Sequence, residues 1–68
     1  MEEFSKRLKE LRLEKGLTLE QLAKELNVSD VAVGRWERKQ RVPNLEIVIA
    51  IAKFFNVTTD YLLGLSDF

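Results

Sequence analysis

Four cations fall within one short stretch, Arg35, Arg38, Lys39 and Arg41, with the amide of Gln40 among them. Guanidinium groups donate through a rigid fork that matches paired oxygen acceptors, and lysine adds a mobile point charge. Such a set binds an anionic, acceptor-rich partner; it moves no protons at neutral pH. The chain has no Cys and no His, which removes the usual thiolate nucleophiles and zinc ligands. There is no glycine-rich phosphate loop, and the carboxylates fall at helix starts and along solvated faces rather than as a facing pair. An enzyme is therefore not expected, nor a metal or cofactor. A basic run is most often an ordinary solvated loop. Its position directly after a short helix argues otherwise here.

That helix follows Ser29, a capping residue. Val33 and Trp36 make its narrow apolar side, and Asp30, Val31, Ala32, Gly34, Arg35, Arg38 and Lys39 make the rest. A helix with one thin buried edge and a basic, small-residue outer side is built to lie against a partner. Before it comes a second amphipathic segment, with Leu19, Leu22, Ala23 and Leu26 at helical spacing. Thr18 and Gln21 form a capping box at its start. Asn27, which enters the left-handed region cheaply, ends it. The two short helices and their corner span about residues 18–38 and read as a helix-turn-helix, the third helix being the one presented to nucleic acid.

The remaining elements must hold this unit. Residues 2–15 read as a helix with Phe4, Leu8 and Leu11 on one stripe, closed by Gly16. Arg12 falls one position from that stripe, and the pattern alone leaves it either solvated or partly buried. After Pro43, Asn44 caps an apolar helix whose core set is Leu45, Val48, Ile51, Ala52 and Phe55. Ile47, Ile49, Ala50 and Phe54 make it apolar nearly all round, so its outer side is expected to meet a partner. Asn56 and Val57 repeat the corner device, Thr58 caps a last short helix, and Leu62 and Leu63 are expected to fill the core before Gly64 stops it. Residues 65–68 read as a frayed continuation. The expectation is an all-α bundle of five short helices.

Length permits one domain, since 68 residues bury only about 60% of their unfolded surface and leave no room for a second core. A further domain beyond Phe68 is compatible with the sequence. Eleven basic and eleven acidic residues cancel, which taken alone argues against nucleic acid. Their distribution argues back: residues 29–44 carry four cations against Asp30 and Glu37, whereas residues 45–68 carry Lys53 against Glu46, Asp60 and Asp67. Local field outweighs total charge. With no leader-like start and no long apolar run, the expected location is the cytoplasm.

Leu17-Thr18 through Glu37, Pro43-x-Leu45, Ala52-Lys53-Phe54-Phe55-Asn56-Val57 and Asp60-Tyr61-Leu62-Leu63-Gly64 together resemble the lambda-repressor-like family, the phage repressor, Cro and xenobiotic-response-element type of helix-turn-helix regulators. The resemblance runs from Phe4 to Gly64. It implies double-stranded DNA as partner, a homodimer on that DNA, and one recognition helix per major groove. By position, it implies base-reading roles for Ser29, Asp30, Val31 and Arg35. Phosphate contacts fall to Thr18, Arg38, Lys39, Gln40 and Arg41. Arg12 and Glu37 match an internal ion pair tying the first helix to the third. Pairing of two copies is expected through Ile47, Thr59 and Tyr61.

Some positions depart from the family pattern. Leu19 stands where a phosphate-binding Gln is common. Asp30 either accepts from a cytosine amino group or serves its own helix dipole, the second being favoured. Gly34 either admits a close backbone approach or relieves crowding. Lys39 replaces the usual glycine after the third helix, so the end of that helix must be improvised. A second reading stays open alongside transcription regulation, most readily repression: a helix-turn-helix used as a protein-binding module, an antitoxin or adaptor with little affinity for DNA.

Overall fold

Each helix after the first begins at a side chain that satisfies one of its orphan amides. In the computed structural model, which describes residues 2–68, α1 spans Glu2–Glu14, α2 Leu19–Leu26, α3 Asp30–Glu37, α4 Leu45–Phe55 and α5 Thr59–Leu62, with no strand among the described residues. Thr18 and Gln21 close the capping box reciprocally, at 3.0 and 2.8 Å. Ser29, Asn44 and Thr58 accept from Ala32, Ile47 and Tyr61 in the same way. Asn27 and Asn56 both take the left-handed conformation, each at φ 56°. The corner device is thus used twice, and α1 ends one residue earlier than the pattern suggests.

Phe4 and Leu8 from α1, Leu22, Ala23 and Leu26 from α2, and Val33 and Trp36 from α3 meet Val48, Ile51, Ala52 and Phe55 of α4 and Leu62 of α5 in one buried cluster. Two residues expected in it are placed otherwise. Leu45 is 72% exposed, because the first turn of α4 directs Ile47 and Val48 towards the core and leaves Leu45 on the open side. Leu63 is half-buried and packs on the cluster from outside, since α5 turns Leu62 inward and ends there. Ile47, expected on the outer side of α4, is half-buried against the core; the exposed apolar residues of that helix are Leu45 and Ile49.

The end of the chain is held rather than frayed. The Arg7 guanidinium stacks on the Tyr61 ring at 4.3 Å and donates to the carbonyls of Tyr61 and Ser66, the latter at 2.6 Å. Gly64 sits at φ 80°, and a Cβ there would lie 2.5 Å from Glu3 Cβ, so α1 and the exit from α5 meet at a point only glycine fits.

Candidate nucleic-acid interface

Two anchors fix α3 against α1. Arg12, 8% exposed, donates from Nε to Glu37 Oε2 at 2.6 Å and from an Nη to Oε1 at 2.9 Å. Its other Nη donates to the Leu17 carbonyl at 2.7 Å. Hydrogen bonding to Glu37 raises the guanidinium's pKa above its ordinary value; burial opposes that shift, and the carboxylate's charge adds to it. The second anchor was not singled out in the sequence: buried Ser5 donates to the Trp36 carbonyl at 2.5 Å. Both grip the last turn of α3, so the outer face of the helix is set by α1.

On that face Val31 is 53% exposed, and Arg35 is exposed one turn further. Ser29 spends an acceptor on the Ala32 amide at 3.1 Å and keeps its hydroxyl proton for donation outward. Asp30 turns back, accepting from the Val31 amide at 3.0 Å. Its carboxylate therefore serves the first turn of α3, where the helix dipole favours negative charge.

Gly34 follows the second of its two readings, relief of crowding. It is buried, and the space a side chain would occupy already holds the Arg38 guanidinium, whose nearest nitrogen is 3.0 Å from the Cβ position. The room above the helix is taken by the chain's own arginine, so no open backbone faces a partner there.

The improvised end of α3 is a Schellman-type turn. Lys39 adopts φ 65°, its amide donates to Trp36, and the Gln40 amide donates to Arg35 at 2.9 Å. The helix keeps a tight stop, and Lys39, Gln40 and Arg41 project beside it, all exposed. Lys39 lies 3.7 Å from Glu2 in an open ion pair. Thr18, at the start of α2, is exposed, with its oxygen engaged in the capping box.

The arginines divide by role. Arg7 and Arg12 are consumed inside the fold. Arg35, Arg38 and Arg41 make no ion pair or side-chain hydrogen bond among the described residues, and all three lie on α3 or directly after it. The structure brings Ser29, Val31, Arg35 and Arg38 onto one helix, with Lys39, Gln40 and Arg41 at its end. Thr59 and Tyr61 lie apart on α5, half-buried.

A bundle of this order, with α2 and α3 joined by a tight corner and α3 presented outward, is a lambda-repressor-like helix-turn-helix domain. The helix-turn-helix family matches residues 8–62, and the chain belongs to that family. It is 49% identical over 62 residues to the HTH-type transcriptional activator BcrR of Enterococcus faecalis, an overlap of 91% of this chain and 30% of that protein. It is 39% identical over 61 residues to the HTH-type transcriptional regulator ImmR of Bacillus subtilis, covering 90% of this chain and 48% of that one. The chain thus spans less than half the length of these two relatives. Among solved structures, the P22 c2 repressor in complex with a synthetic operator superposes with a TM-score of 0.86. That match has 32% identity and covers 93% of this chain and 96% of that one.

Proposed function

We propose that this domain binds double-stranded DNA sequence-specifically, with α3 in the major groove, as the DNA-binding part of a transcription regulator. The observation that carries the reading is the division of the arginines. A chain with no net charge has three guanidinium groups without an ion pair or side-chain hydrogen bond among the described residues, all on one helix and its exit. In this reading Lys39, Gln40 and Arg41, with Thr18 across the groove, contact phosphates and supply affinity. Arg35 reads guanine, Val31 packs on a thymine methyl, and Ser29 donates to a base or phosphate at the entry to the helix. The P22 c2 complex supports this placement by likeness of fold, and the names of BcrR and ImmR support regulation of transcription. The expected location is the cytoplasm.

Repression is the expected sign, because occupancy of a promoter is enough to block it, whereas activation needs an added contact with the transcription machinery. Two copies are expected on one operator, paired through the α4–α5 side with Thr59 and Tyr61. Leu45 and Ile49, the exposed apolar residues of α4, are what such an interface would cover. The chemistry is binding alone.

Retention on DNA at low salt, followed by selection from a randomised library, tests the reading. Arg35→Ala should weaken the selected site by about 1–3 kcal/mol and relax one base position. Lys39→Ala and Arg41→Ala should weaken all sequences and each lower the salt slope by about 1. Unchanged affinity in the Arg35 and Lys39 variants, with folding intact, sinks the assignment and leaves a protein-binding module in its place.

A further inference from the structure

We propose that Gly34 and Arg38 form one specificity-determining unit, in which the missing side chain of Gly34 seats the Arg38 guanidinium on the outer face of α3 to read a guanine edge. The proposal rests on the DNA-binding reading above and assigns Arg38 to bases instead of to the phosphate backbone.

Glycine in a helix interior is unfavourable, so its presence at the centre of an eight-residue helix asks for a reason. The backbone does not supply one, since Gly34 is not among the positive-φ residues. No other helix comes as near to that position as Arg38 does. The three atoms nearest to a Cβ at Gly34 are all from Arg38: its two terminal nitrogens at 3.0 and 3.4 Å and its Cζ at 3.5 Å. Helical side chains lean towards the N-terminus, so residue i+4 naturally covers residue i. Arg38, the residue that caps the end of α3, therefore lies back along the helix.

The consequence is chemical. An arginine at the end of a helix would ordinarily reach sideways for phosphate, as an extended and mobile cation. Laid over Gly34, the guanidinium is carried back one turn along the helix. Its planar fork makes no ion pair or side-chain hydrogen bond among the described residues, and Asp30, one turn before Gly34, turns to the Val31 amide. A forked donor held on this face suits the paired O6 and N7 acceptors of guanine, and lysine cannot reproduce the fork.

The test compares wild type with Gly34→Ala, Arg38→Ala and Arg38→Lys on a randomised half-site library, on mixed-sequence duplex, and by thermal melting. Arg38→Ala should flatten the preference at one base pair by roughly tenfold or more. Arg38→Lys and Gly34→Ala should flatten the same position. Binding to mixed-sequence duplex should change little, and Gly34→Ala should melt at or above the wild-type temperature. A Gly34→Ala variant that keeps every wild-type base preference overturns the proposal. So does an Arg38→Ala variant that loses affinity equally for all sequences with a shallower salt dependence, the signature of a phosphate contact. Destabilisation by Gly34→Ala in the Arg38→Ala background also overturns it, since the glycine would then serve the fold. In each of these cases Arg35-dependent binding persists; a wild-type domain that binds no DNA removes the functional reading itself.

Discussion

Arg12 and Glu37 carry the largest single electrostatic commitment in the fold, because both side chains are nearly dry, 10% and 7% exposed. A buried pair is weak evidence of net stability, since desolvation consumes much of the attraction, but removing one partner strands the other. Glu37→Gln should therefore cost about 3–5 kcal/mol, a large fraction of what a small domain has. Arg12→Met with Glu37→Leu should restore a substantial part of that loss. Urea unfolding of Arg12→Met, of Glu37→Leu and of the double decides it, and simple additivity would exclude a coupled pair. Arg12 shows what sequence alone could reach: its place beside the apolar stripe left burial open, and only the resemblance supplied Glu37 as its partner. Ser5 had no such signal. A serine beside the apolar stripe gives no sign that its hydroxyl meets a carbonyl on a helix 31 positions away.

The boundaries of the helices were legible because capping is local: Thr18 and Gln21, Ser29, Asn44 and Thr58 act within three residues of themselves. The last turn of α3 was less so. A lysine at the position that favours glycine suggested a different ending, yet the Schellman geometry is kept with Lys39 at φ 65°. A non-glycine residue in that region costs about 1–2 kcal/mol, part of which glycine returns as extra freedom in the unfolded chain. Lys39→Gly should thus raise stability by up to about 1 kcal/mol while lowering the salt slope of DNA binding by about 1. Opposite signs in melting and in binding are the expected signature. Loss of stability would mean that the open contact with Glu2 outweighs backbone strain. Gly64 behaves in the other direction. Gly64→Ala combines a positive φ with a collision at Glu3 and should destabilise by more than the ~1 kcal/mol that a glycine-to-alanine change gains at a compatible site. Thermal melting reads it, and an unchanged midpoint would show that α1 moves aside freely. The Arg7 contacts with Tyr61 and Ser66 escaped the sequence for the same reason: they join residues 54 and 59 positions apart, which no local pattern encodes.

At the scale of the molecule, the bundle is 28 Å in its longest dimension, whereas half-sites one helical turn apart are separated by about 34 Å. Two copies on such an operator can meet only through side chains at their facing edges, well below a standard interface. Pairing that weak still suffices on DNA, where the first copy holds the second at high effective concentration. The sequence pointed to the α4–α5 side but chose Ile47, which is half-buried against the core. An apolar helix on a small bundle cannot show which of its flanks is covered until its neighbours are placed. The residues free to reach a partner on α4 are Leu45 and Ile49, with Thr59 at the start of α5. Charges at Leu45→Lys and Thr59→Arg, placed outside the core, should leave folding and single half-site affinity nearly unchanged. Cooperative occupancy of a two-half-site operator should fall to the independent limit. Gel-shift titrations on half and full sites measure both quantities, and cooperativity that survives the double variant would move the pairing surface away from this side of the bundle.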